Sequence, residues 1–137
     1  MTLKVPNEGE LELLKYMLKE NPSDLLLHLY ENDYTPSITS AIGDFTESTW
    51  TGYSAITLTA SNWTDPITTM DGKAETRYGT SVLSWTRSGL GSDDLYGYYV
   101  TDTDETIVLW AERFDPTRTL GNGDVVNFQP VFTLYNE

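Results

Sequence analysis

Hydrophobic and polar positions change period once along this chain, near residue 24. Before that point Leu11, Leu14 and Leu18 recur at i, i+3 and i+7, with Leu13, Tyr16 and Met17 widening the stripe, which predicts an amphipathic helix over residues 7–20. Asn7 stands where a cap is wanted, Glu8, Glu10 and Glu12 lie near the positive end of the helix dipole, and Asn21-Pro22 ends the pattern. A lone helix of this length is marginal in water and needs a surface to lie on. The plainer expectation is that its stripe packs on the domain's own sheet; the sharper one is that it docks on another subunit.

From Asp24 onward the residues alternate, and Thr, Val, Ile and aromatic residues that suit a pleated surface become common. Leu25, Leu27 and Leu29 alternate with Leu26, His28 and Tyr30, predicting a first strand buried on much of both faces. Residues 32–40 read as a loop, and Asp44-Phe45-Thr46-Glu47 as a single helical turn. Ser54, Ile56, Leu58 and Ala60 line one face of a second strand, and residues 62–67 and 80–87 predict two more. The clearest hairpin spans residues 95–114: Tyr96, Tyr98 and Val100 share a face, Asp102-Thr103-Asp104-Glu105 makes the turn, and Val108, Trp110, Glu112 and Phe114 share a face of the return strand. Gly121-Asn122-Gly123-Asp124 is a second turn, leading into a last strand in which Val126, Phe128, Pro130, Phe132 and Leu134 face one way. Pro130 has no N–H for a ladder, so that strand is expected at a sheet edge or with a bulge.

The predicted fold class is therefore mainly β, an antiparallel β-sandwich or small barrel with one short N-terminal amphipathic helix. Residues 1–22 are expected to form an arm and helix, and residues 23–137 a single β domain. Composition narrows the function. With 137 residues, 39% hydrophobic and 21% charged, the chain is long and apolar enough for one core. Its formal charge of −13 argues against direct nucleic-acid binding, which needs a basic surface, and against an anionic membrane surface. The absence of cysteine excludes disulfides, thiolate catalysis and Cys-ligated zinc. Neither a signal-peptide pattern nor a membrane-length apolar run is seen, so synthesis in a cytoplasm without secretion is expected, and the Asn62-Trp63-Thr64 sequon reads as accidental.

Candidate chemistry is thin. His28 is the lone histidine, set between leucines, and reads as a satisfied core or edge residue rather than as a base or metal ligand. Glu47, Glu75 and Glu112 are formal candidates for a glycosidase pair, without spacing that favours catalysis over solvated strand faces. Asp102, Asp104 and Glu105 offer oxygens to calcium but lack the EF-hand pattern and are already explained as a turn. Gly89-Leu90-Gly91 and Gly121-Asn122-Gly123 complete no phosphate-binding fingerprint. Trp50, Trp63, Trp85 and Trp110 with nine tyrosines admit a carbohydrate-binding module, against the plainer reading that these rings fill a core or a protein interface. No enzyme, cofactor or metal is expected.

The string LYGYYVTDTDETIVLWAERF, with Tyr96, Gly97, Tyr98, Tyr99, Val100, Trp110, Ala111, Glu112, Arg113 and Phe114, resembles a segment of small structural proteins of tailed bacteriophages. The upstream GDFTESTWTGYSAITLTASNW, with Phe45, Thr46, Gly52, Tyr53 and Trp63, the opening KVPNEGELELL and the closing GNGDVVNFQPVFTL fit the same likeness. The resemblance implies a virion component on the outer capsid surface, without catalytic residues. Among virion roles it points to a decoration or cement protein that ties neighbouring subunits of the major capsid protein together, as a dimer or trimer suited to a symmetry axis. A neck, tail or fibre-associated protein is the alternative within the same class. The expected contacts are Leu3, Val5, Leu11 and Leu14 at the N-terminus and Phe128, Pro130, Phe132 and Tyr135 in the terminal strand, the latter by edge pairing.

Overall fold

The computed structural model describes residues 3–79 and 82–134. Its elements run α1 (Asn7–Met17), β1 (Leu25–Tyr30), β2 (Ile56–Leu58), β3 (Ile67–Thr68), β4 (Ala74–Arg77), β5 (Leu83–Thr86), β6 (Asp93–Asp102), β7 (Val108–Leu120), β8 (Val125–Phe128) and β9 (Val131–Leu134). Every strand pair with a described register is antiparallel, and the fold is of the mainly β, sandwich-like class with one N-terminal helix. The chain makes two compact units. The first is drawn from Met1–Ser23, Thr59–Leu83 and Phe128–Glu137, the second from Asp24–Leu58 and Ser84–Asn127. The helix thus shares a unit with segments from the middle and end of the chain.

In the first unit α1 lies against β4 and β3 of a three-stranded sheet ordered β3-β4-β9. Leu14 and Leu18 are buried, Leu11 is half-buried, and Leu13, Tyr16 and Met17 face solvent. The plainer expectation for the stripe holds, and the apolar residues that widen it do so on the outer side. Pro6 occupies the cap position without a side-chain cap, so Asn7 is the first helical residue rather than the cap. The helix ends at Met17, short of Glu20, where Asn21 Nδ2 donates to the Met17 carbonyl at 3.1 Å and satisfies one of the orphan acceptors of the last turn.

β4, the central strand of this sheet, has no counterpart among the predicted elements. Its sequence, Ala-Glu-Thr-Arg, carries little β propensity, and it is held by pairing with β9 (Ala74 with Leu134, Arg77 with Val131) and β3. The strand expected over 62–67 is a short 3-10 turn at Ala60–Asn62, an isolated bridge between Trp63 and Tyr78, and the two-residue β3, because Asp65-Pro66 interrupts it. The strand expected over 80–87 is confined to β5; Thr80 and Ser81 lie outside the described residues. At Pro130 the expected last strand divides: β8 pairs with β5, and β9 is an edge of the three-stranded sheet.

The second unit is built on a four-stranded sheet ordered β2-β1-β6-β7. β1 is buried on both faces, as its run of leucines predicts, with Leu27 and Leu29 fully buried on one side and His28 and Tyr30 on the other. Leu27 pairs with Val100 and Leu29 with Tyr98, and the β6–β7 hairpin has the predicted turn, extending its return strand to Leu120. Asp102 closes that turn by accepting the Thr106 and Ile107 N–H groups at 2.7 and 2.9 Å. The Thr106 hydroxyl also donates to Asp102 Oδ2, and this bond first, with the backbone ones, holds the Asp102 carboxyl below the usual carboxylate range. The helical turn expected at 44–47 falls earlier, at Ile42–Asp44, where Asp44 Oδ2 accepts the Ala41 N–H at 2.8 Å.

Candidate functional site

Among the described residues, His28, Glu47 and Glu105 form the one group of three acidic or imidazole side chains whose potential ligand atoms all lie within 4.8 Å of one another. His28 reaches this place from the middle of β1, Glu47 from the segment bridged to the end of β1, and Glu105 from the β6–β7 turn, where it has a left-handed φ of 56°. His28 is 1% exposed and stacks on the Tyr99 ring at 4.7 Å. Its Nδ1 donates to Glu47 Oε1 at 2.9 Å, and its Nε2 lies 2.9 Å from Thr101 Oγ1 and 3.7 Å from Glu105 Oε1. Tyr53 completes the network: its hydroxyl donates to Glu47 Oε1 at 2.7 Å and accepts the Leu29 N–H at 3.2 Å.

Carboxylate, imidazole and hydroxyl stand here in the order of a nucleophilic triad, but Thr101 does not present a nucleophile. Its side chain is fully buried, and Oγ1 donates to the Asp102 carbonyl at 2.8 Å. A reacting carbonyl needs open space beside the hydroxyl. A metal ion fits no better: both ring nitrogens of His28 and the Glu47 oxygen already make hydrogen bonds that coordination would break. The arrangement ties β1, β6, the Glu47 segment and the hairpin turn into one polar knot.

Sequence reasoning singled out His28, Glu47 and Glu105 for three separate reasons and did not bring them together, since the distances between them in sequence carry no periodic signal. The other candidate carboxylates stand apart. Glu75 pairs with Arg77 at 3.0 Å in the first unit, and Glu112 accepts the Tyr98 hydroxyl at 3.1 Å in the second. Trp50, Trp63 and Trp85 are buried. Trp110 is half-buried and lines an open groove of about 460 Å³ with Pro36, Ile38 and Leu109, so one ring rather than a row of rings is offered to a sugar.

The phenols give a pH test. Burial, and then hydrogen bonding to Glu47, pushes the Tyr53 phenol far up; burial and the charges of Glu47 and Glu105 raise Tyr99; burial and Glu112 raise Tyr98. A folded-state value above the unfolded one, near 10, means that these phenols stabilise the fold fully below about pH 10 and less as pH climbs toward the folded values. Absorbance at 295 nm is expected to show part of the tyrosine signal lagging, then appearing together with loss of the β circular-dichroism signal. Full ionisation near pH 10 with the fold intact would contradict these assignments.

The described positions expected to form an interface all lie in the first unit. Leu3 is exposed; Val5, Leu11, Phe128 and Phe132 are half-buried; Leu14 and Pro130 are buried, Leu14 wholly so, and serve the unit's own core. Tyr135 lies outside the described residues. Beside Leu3, the outward apolar surface among the described residues of this unit is carried by Leu13, Tyr16, Met17, Ile67, Met70, Val82 and Val131, none of them among the expected positions. A helical stripe read from spacing alone does not say which of two adjacent edges turns inward, and Leu13, Tyr16 and Met17 sit on the edge that turns out. No family model matches the sequence, and no curated protein matches it.

Proposed function

We propose that the protein is a non-enzymatic virion structural protein of the capsid decoration type, which docks on the major capsid protein through its first unit and bridges neighbouring capsomers. The observation that carries this reading is the outward apolar surface of that unit: Leu13, Tyr16 and Met17, from 46% to 59% exposed, on a helix that already has a sheet beneath it. A small unit that keeps large apolar side chains in water is organised for a protein surface. The edge strand β9, with Val131 exposed, adds a backbone edge that a partner strand can extend. The resemblance of the β6–β7 hairpin to phage structural proteins supplies the kind of partner.

Mechanically, pressure from packaged DNA stretches contacts between capsomers, and a clamp across them adds buried area that must be lost before the shell opens. Copies placed as dimers or trimers on a symmetry axis suit that task. The charge of −13 keeps unassembled copies soluble and steers them to basic patches on the shell.

Co-sedimentation with empty heads lacking the protein tests the docking face. The wild type is expected to pellet with the heads. The Leu13→Glu, Tyr16→Glu double variant, changed only at exposed positions, is expected to remain folded and lose at least tenfold in affinity. Undiminished binding by the double variant would remove α1 from the interface.

A further inference from the structure

The hydrogen bonds around His28 say where its protons stand. Nδ1 faces the Glu47 carboxylate at 2.9 Å, on the same oxygen that takes the Tyr53 hydroxyl proton at 2.7 Å. Nε2 faces Thr101 Oγ1 at 2.9 Å, and this hydroxyl already gives its one proton to the Asp102 carbonyl at 2.8 Å. Glu105 Oε1 stands 3.7 Å from the same ring nitrogen. Every oxygen that meets the ring is therefore an acceptor, and a ring with one proton leaves a lone pair facing oxygen. A neutral His28 is accommodated only when Thr101 turns its proton away from the Asp102 carbonyl, and Glu105 then faces that lone pair.

The charges and rings that meet His28 favour the same state. Glu47, with Tyr53 behind it, comes from the segment bridged to β1, Tyr99 and Thr101 from β6, and Glu105 from the β6–β7 turn. Among the described residues, His28 is the one ion-pairing partner of both carboxylates. Its ring lies on the Tyr99 face at 4.7 Å and 14°, where the aromatic quadrupole attracts a cation, and Tyr99 stacks in turn on Phe45 at 4.6 Å. Burial opposes a charge on His28, and two carboxylates with an aromatic face offset it. Glu105 comes to this place with a φ of 56°, a left-handed conformation that strains a residue bearing a side chain.

We infer that His28 is a buried imidazolium that acts as a proton-governed latch on the β6–β7 turn. With both ring nitrogens protonated it holds Glu47 on one side and Thr101 and Glu105 on the other; without the Nε2 proton it releases Glu105. The turn is wired to that proton through the Asp102 carbonyl, which accepts both the Thr101 hydroxyl and the Glu105 N–H, the latter at 3.1 Å. Once Nε2 is bare, Thr101 turns its proton to the ring, the Glu105 carboxylate meets a lone pair, and nothing offsets the strain of the left-handed residue. The proton belongs to the latched form, so raising the pH withdraws it and frees the turn.

His28 is the lone histidine, so labelling the whole chain with 15N-histidine gives the ring spectrum of this residue alone. At about pH 7.5, where a free imidazole is mostly neutral, both ring nitrogens are expected at protonated shifts. A bare ring nitrogen in the wild type at this pH would overturn the imidazolium. Glu105→Gln keeps the shape of the side chain and offers Nε2 an amide N–H in place of a carboxylate, so its spectrum is expected to show one bare nitrogen. In the same variant the Thr106 and Ile107 amide protons should exchange about threefold faster than in the wild type. Two protonated nitrogens in the variant, or unchanged exchange at the turn, would overturn the latch.

Discussion

Replacing Gly97 by alanine is expected to destabilise the second unit by about 3 kcal/mol or more, among the largest effects of any single methyl group in the chain. A Cβ at this position would lie 2.2 Å from the Glu112 carbonyl oxygen and 2.7 Å from the ring and hydroxyl of Tyr30. Neither neighbour can yield cheaply. The carbonyl belongs to the paired strand β7, and Tyr30 is fully buried, packed edge-on against Phe45 at 5.1 Å with its hydroxyl donating to the Tyr34 carbonyl at 3.0 Å. Gly97 also sits beside the irregularity where β6–β7 pairing jumps from Leu95–Arg118 to Gly97–Arg113, so the ladder there has little spare registration. Urea unfolding of the variant should show a lower midpoint at unchanged slope. A midpoint equal to wild type would mean that Tyr30 and β7 are not packed as described.

The polar knot around His28 is the second place where a large effect is expected. His28→Ala removes the donor to Glu47, leaves Thr101 facing a void and opens a gap beneath the Tyr99 ring, a loss of about 3 kcal/mol. Glu47→Gln should cost only about 1 kcal/mol, because its side-chain oxygen can still accept from both His28 Nδ1 and the Tyr53 hydroxyl. The contrast between the two variants is the informative quantity. Equal, small losses in both would show that the network contributes little and that His28 is dispensable to the fold.

What could be read from the sequence was whatever is local and periodic. The β6–β7 hairpin was legible because its strands alternate and its turn is rich in Asp and Thr, and β1 because an unbroken run of leucines suits a strand buried on both sides. Pro130 marked the edge because a missing N–H is a property of the residue itself. β4 was not legible: Ala74, Glu75, Thr76 and Arg77 become a strand through partners more than fifty residues away, at β9. The inner face of α1 was legible in its existence but not in its exact bearing, which is how Leu14 was expected at an interface while Leu13, Tyr16 and Met17 hold the outer side. The His28 cluster was hidden for the same reason as β4. Its members come from a strand, a loop and a turn, and nothing short of the register of β1 against β6 brings Thr101 to His28.

A decoration protein has to sit on the shell in many regularly placed copies, and this separates it from a neck, tail or fibre component, which would occupy one end of the particle in few. Cryo-electron microscopy of empty heads lacking the protein, incubated with the purified chain, tests this most directly. The expected result is regular density over the outer shell surface, bridging adjacent capsomers, with the outer face of α1 turned toward the major capsid protein. Bare shells, or density confined to the portal vertex, would contradict the decoration role.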